Sequence, residues 1–350
     1  MTRRSNVVAL TALITVAFSG CGAWSDQSRP DAEVGLELVG VLPPRDDGTD
    51  DPLLMPSDLE VVDSIIVVAD AAEPDVRFLD RSGMLVRTLG RKGGGPGEFR
   101  RLMGVTASPL GPLAVSDSRN RRVTLLDQDG RLLREMPLGT GRVGTVAFDA
   151  AGQLHLDRQG PVDGSARPGS PTIVVYSPQG DSVRAYGSYT PNEDPVGDQF
   201  LNEARFAATS AGGMWVLYPY RAEALHYAES GEITARVMLP PPEGRPADGP
   251  FTESGPTPNS IAIVRMPVAD DIAVDDRGLV FVAVMQTPAD GKARTDVLIF
   301  DSTGTPVATV PLRRVARRIA VRGDTLFALV DPRIGGDARI DLYAITRKAR

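Results

Sequence analysis

Four sets of residues could carry chemistry, and each sets a different demand. Histidine is scarce: His155 in QLHLD and His226 in ALHYA are the only two, and each sits in a strand-like alternation. An imidazole placed that way packs on a sheet more readily than it ligates a metal. H-E-x-x-H, C-x-x-C and G-x-S-x-G are all absent, so zinc-peptidase, thiol-redox and nucleophile-elbow chemistry lose their usual signatures. A Ca²⁺ site needs only carboxylate and amide oxygens, and Asp75, Asp117, Asn120, Asp157 and Asp331 are candidates if they converge. DQDG (127–130) superficially resembles a calcium loop, but it lacks the closing glutamate and has the form of a β-turn. Arginine pairs recur at Arg100–Arg101, Arg121–Arg122 and Arg313–Arg314, and gathered at one mouth they would attract an anion.

The glycine-rich run GRKGGGPGEFR (90–100) invites a phosphate reading and fails it. A P-loop places Lys and a hydroxyl after its last glycine, whereas Lys92 precedes the run and Gly97 is followed by Glu98. Glu98 also occupies the third glycine position of a dinucleotide fingerprint.

The elements that would position these residues begin with an export signal. A basic MTRR start, an apolar run Val7–Phe18, then Ser19, Gly20 and Cys21 have the plan of a secretory signal. The apolar run is too short to span a bilayer. Cys21 is the only cysteine, so no internal disulfide is possible. FSGC (18–21) resembles the bacterial lipobox, with Phe18 for the usual leucine. That resemblance implies a signal over 1–20, a lipid on Cys21 as mature N-terminus and, because residue 22 is not Asp, sorting to the outer membrane, facing the periplasm or exported to the surface; the polar composition that follows makes 21–33 a flexible tether.

The remainder of the 350 residues repeats. FLD, LLD, VYS, HYA and IFD each end an apolar alternation and are followed by Gly83, Gly130, Gly180, Gly231 and Gly304, the spacing of a turn between antiparallel strands. A second series of strand-like runs precedes these, most of them entered through Gly111, Gly152, Gly212, Gly278 or Gly323. Four strands in roughly 40–50 residues make a propeller blade. Six such units predict an all-β, six-bladed propeller of four-stranded antiparallel blades over 34–350, with a Pro-rich insertion near 240–260. YRAEALHYAESG (220–231) has helical propensity, but its place in the repeat predicts a hairpin. The sixth unit ends after its third strand, RIDLYAITR, while VGLELVGVL (Val34–Leu42) belongs to no unit. That N-terminal strand is therefore expected to complete the last blade and close the ring.

The stretch 93–136 resembles the NHL repeat at Gly95, Pro96, Gly97, Phe99, Gly104, Val105, Asp117, Asn120, Arg122, Val123, Asp127 and Gly130. It departs at Leu102 and Ser108. The resemblance covers one blade and implies a six-bladed NHL/TolB-like propeller, a group with several envelope lipoproteins. Phe99 is expected to plug between blades, and Asn120 to bond its own backbone.

Two functions stay open on the sequence. One is a monomeric, cofactor-free binding or scaffold module of the cell envelope, joined to the membrane through its lipid and contacting a peptide, glycan or envelope protein through a loop face. The other is a divalent-metal-dependent hydrolase of lactonase type, or a lyase, with a carboxylate-lined channel. A net charge of −7 gives no footprint for nucleic acid.

Overall fold

The computed structural model describes residues 34–43, 53–138, 143–160, 167–192, 200–243, 251–253, 263–265, 267–330, 332 and 337–347. Cys21, the tether and Asp331 lie outside them.

The period found in the sequence is a ring of six four-stranded antiparallel sheets. The innermost strands are Pro56–Val62, Leu102–Ala107, Val146–Phe148, Arg205–Ala208, Asp271–Val274 and Ala316–Arg322, in blades one to six. Each touches the innermost strand of the next blade, and blade six returns to blade one. Blade six takes Ala316–Arg322, Thr325–Val330 and Arg339–Arg347 from the C-terminal end, and Val34–Leu42 as its outer strand. Val34 pairs with Arg347 and Leu42 with Ile340, so the N-terminal strand latches the ring as expected. Glu223–Tyr227 is a strand of blade four, where tertiary pairing overrides its helical propensity.

The apolar core is six separate seams rather than one mass. Val67, Ala69, Phe78, Leu102, Val105 and Val115 form the seam between blades one and two. The other five clusters straddle the remaining boundaries in the same way, the last joining Leu329 and Ile340 of blade six to Leu59 and Val68 of blade one. Alternate residues of each strand serve opposite seams, which is why the middle strands are apolar on both faces. Phe99 is 1% exposed and packs in the first seam.

The third and fourth strands of blades one to five are joined by turns of five residues: 80–84, 127–131, 177–181, 228–232 and 301–305. In blade one, Gly83 N–H donates to Asp80 O and Asp80 N–H to Met84 O, both at 3.0 Å. The same two bonds recur in every member of the series. Gly83 sits at φ 85, a conformation that side chains resist, so the repeating glycine is a backbone requirement. The Pro-rich stretch departs from expectation in one respect. It carries a two-stranded pairing of Phe251–Glu253 with Ile263–Arg265, outside the six blades.

Candidate functional site

Because the strands of a blade alternate in direction, its connections sort to two ends of the ring. Turns between first and second strands, and between third and fourth, form one end, the turn face. Turns between second and third strands, and the crossings from blade to blade, form the other, the loop face. All three predicted arginine pairs fall on the loop face. Arg100–Arg101 lie in the crossing from blade one to two, Arg121–Arg122 at the second–third turn of blade two, and Arg313–Arg314 in the crossing from blade five to six. The third pair is two blades away round the ring from the other two.

The innermost strands have no further strand on the axial side, so their N–H groups need other acceptors. Carboxylates supply them across blade boundaries. Val105 N–H of blade two donates to Asp58 Oδ2 of blade one (2.9 Å), and Ile319 N–H of blade six to Asp271 Oδ2 of blade five (2.9 Å). Ala204 N–H, leading into blade four, donates to Asp157 Oδ2 of blade three (3.1 Å).

Two arginines stand among these carboxylates. Arg318 Nε lies 3.5 Å from Asp58 Oδ1 at the seam where the ring closes, and Arg205 pairs with Glu203. Burial pushes the Asp58 carboxyl up to about 7 against the pull of Arg318, and it pushes Asp157 to about 7 as well. Burial also raises Asp271. For Arg318, burial and then the like charge of Arg205 lower the pKa. Burial alone would lower Arg205 too, but Glu203, Asp271, Asp58 and Asp157 carry it above its ordinary value. The axis is thus a mixed-sign cluster whose carboxylates already clasp neighbouring blades. A dication placed there would face two guanidinium groups.

Among the described residues the proposed calcium ligands do not converge as a set; only Asp117 and Asn120 meet. Asp75 holds Arg77 (Oδ1 to Nε 3.0 Å). Asp117 is fully buried and is the hub of the blade-two corner. It accepts N–H groups from Arg100 (2.8 Å), Arg101 (3.0 Å), Arg119 (3.1 Å) and Asn120 (3.1 Å). Asn120 also departs from expectation. Its side-chain amide reaches across to Gly93 O (3.0 Å), Glu98 O (3.3 Å) and Asp117 Oδ2 (2.8 Å). Asp157 ends the second strand of blade three and is tied to the axial cluster through the charge of Arg205. Among the described residues no group of three or more His, Cys, Asp or Glu is arranged to hold a metal.

Both histidines are in blade hairpins. His155 is buried, with Nδ1 2.6 Å from the Tyr186 hydroxyl and Nε2 3.1 Å from Asp149 Oδ2, and burial lowers its pKa. His226 Nδ1 meets Thr234 Oγ1 at 2.5 Å.

Of the six predicted arginines, Arg122 must be withdrawn from any binding surface. It is 8% exposed; its guanidinium donates to Gly95 O and Glu98 O (2.6 Å each) and pairs with Glu135 (3.0 Å). It pins the glycine run instead of facing a partner. Arg100, Arg101, Arg121 and Arg313 are exposed and Arg314 is half-buried.

The structure adds Arg91, Lys92 and Arg119, also exposed, to the blade-two corner. None of the three belongs to an arginine–arginine pair, the feature that marks the other cations in the sequence. The corner's carboxylate, Glu98, accepts Gly95 N–H (2.8 Å) and pairs with Arg91 (2.9 Å), which together hold its pKa below the ordinary value.

No family model matches the chain, and no curated relative does. Solved structures do match. A DUF4221 family member from Bacteroides vulgatus is 10% identical, covering 91% of this chain and 100% of that one at a TM-score of 0.58. A protein from Bacteroides fragilis NCTC 9343, described as exported, is 13% identical over 92% and 98%, at 0.54. The PQQ-bound aldose sugar dehydrogenase of Streptomyces coelicolor is 16% identical over 91% and 100%, also at 0.54. At these identities the likeness establishes the fold: the chain is a six-bladed β-propeller. The activities of such neighbours belong to sites grafted on that fold.

Proposed function

We propose that the chain is a lipid-tethered propeller of the cell envelope, a monomeric module that binds a peptide, glycan or envelope-protein partner with its loop face. The observation that carries this reading is the division of charge. The axial carboxylates are engaged by backbone N–H groups and two arginines, while exposed cations collect on the loop face. The NHL-like residues of blade two support it, since Gly95, Pro96, Gly97 and Phe99 build the platform on which those cations stand. The export signal and FSGC point to the envelope, as does a neighbour described as exported. Val34 pairs with Arg347, which contacts Asp324 and Asp275 of the first–second turns. The tether from Cys21 therefore joins the ring at the turn face, and a lipid-held ring would present its loop face away from the membrane.

The metal-dependent hydrolase or lyase is the weaker reading, because Arg205 and Arg318 oppose a cation at the axis. The test is elemental analysis of purified mature protein beside a hydrolase and lactonase substrate screen. The binding reading expects neither stoichiometric metal nor turnover. Bound Ca²⁺ with turnover that a chelator abolishes would sink it. Separately, Cys21→Ser should abolish lipid labelling; wild type and variant equally soluble after export would remove the anchor.

A further inference from the structure

We infer that the loop-face corner of blade two is a binding site for an anionic glycan, a chain of repeating negative groups. The inference rests on the loop-face reading above and names its ligand. Arg91, Lys92, Arg100, Arg101, Arg119 and Arg121 are exposed on two backbone segments, 91–101 and 118–121. Those segments are held together as one platform. Asp117 gathers the N–H groups of Arg100, Arg101 and Arg119, and Asn120 and Arg122 bind the carbonyls of the glycine run. Phe99 N–H donates to Arg91 O (2.8 Å), and Gly93 N–H to Phe99 O (2.9 Å). The cations thus stand on a backbone ordered before any ligand arrives, which lowers the entropic cost of binding.

The sign of the patch runs against the chain as a whole, which carries −7. Such a local reversal concentrates polyanions, and arginine suits carboxylate or sulfate oxygens through paired N–H donors. Across these segments the one large apolar side chain, Phe99, is buried, and Gly93, Gly94, Gly95 and Gly97 offer no side chain of their own. A peptide partner draws most of its affinity from apolar anchors seated in pockets. A polar, cationic strip with no exposed large apolar side chain along these segments offers no such anchor and suits a ligand whose information is repeated charge.

The experiment uses the full mature chain with polygalacturonate oligomers of increasing length. Galacturonate monomer, neutral dextran and poly-L-glutamate serve as comparison probes. Affinity should rise with oligomer length and fall with salt. The triple variant Arg100→Ser, Arg101→Ser, Arg121→Ser should lose at least tenfold, while Arg81→Ser, Arg131→Ser, Arg277→Ser on the turn face should bind as wild type. Thermal melting of both variants separates lost binding from lost folding. Monomer binding as tightly as oligomer, or equal loss in the two variants, would overturn the site. Poly-L-glutamate binding as well as the glycan would overturn the choice of glycan. Either result leaves the broader loop-face reading standing, which falls only to chelator-sensitive turnover.

Discussion

The two faces of the ring are built on opposite rules. On the turn face, the third–fourth connections of five blades share one length, one hydrogen-bond pattern and a glycine at positive φ. On the loop face no such uniformity holds. The crossing from blade five to six spans 312–315, that from blade one to two spans 90–101, and that from blade four to five contains an extra strand pair. Five blades turn back identically on one side, while blade six takes its outer strand from the N-terminal end and has no such turn. On the other side the connections differ from blade to blade, so that face is where differences among blades can serve recognition.

The largest test removes the strand that belongs to both faces. Val34–Leu42 runs from the turn face to the loop face and covers the outer edge of blade six, with Val34 and Leu42 buried. A chain starting at Pro43 should lose roughly 5 kcal/mol or more, because an edge and its apolar cover are both exposed. A truncated protein that melts like the full domain would show that the ring does not depend on its latch.

A matched pair of glycines probes the faces at smaller scale. Gly213, in a first–second turn, has φ 92, and an added Cβ would lie 2.7 Å from Tyr227 O. Gly97, in the blade-two crossing, has φ 69 and open space around the same position. Gly213→Ala should cost about 2–3 kcal/mol and Gly97→Ala about 1, the second reflecting backbone strain alone. Equal costs in urea titrations would mean that the turn face is no more tightly specified than the loop face.

The smallest effect is in pH dependence. Asp80, in a turn-face turn, is held below its ordinary pKa by the Ser82 hydroxyl first and then by turn N–H groups. Its contribution is present at neutral pH and is lost as pH falls through its folded pKa. Asp58 and Asp157 do the reverse. Their folded pKa of about 7 exceeds the unfolded value, so their ionisation costs stability, and the fold gains stability as pH drops from about 8 towards 4. Asp58→Asn should flatten that slope by about 1–2 kcal/mol. Melting curves with an unchanged slope would show that Asp58 ionises freely at the axis.

The contrast between faces also explains what the sequence disclosed. Turn chemistry is local: Asp80 to Gly83, or Asp301 to Gly304, announces a hairpin within four residues, and five repetitions announce blades. The latch was legible because RIDLYAITR left one unit a strand short. The axial cluster was not, since Asp58, Asp157, Arg205, Asp271 and Arg318 lie far apart in the chain and meet only when the ring closes. Its trace is faint but present. Asp58 serves Val105, and Asp271 serves Ile319, at separations of 47 and 48 residues, the blade period itself. The role of Arg122 was hidden for a different reason. An arginine pair reads as surface charge, and only the fold shows that one member turns inward while Arg121 stays out.

The claim that the ring is tethered by its turn face and reads with its loop face can be tested on one blade. Ser302, in a turn-face turn of blade five, and Ala289, in its loop-face turn, are both exposed. Lipidated protein carrying Ser302→Cys or Ala289→Cys would be labelled with a donor dye, the proposed lipid on Cys21 blocking that thiol. It would then be bound to phosphatidylcholine vesicles bearing a headgroup acceptor. The account predicts that the dye at 302 is quenched more strongly than the dye at 289. Protein that fails to float with vesicles would refute the anchor, and floating protein quenched equally at both sites, or more at 289, would contradict the orientation.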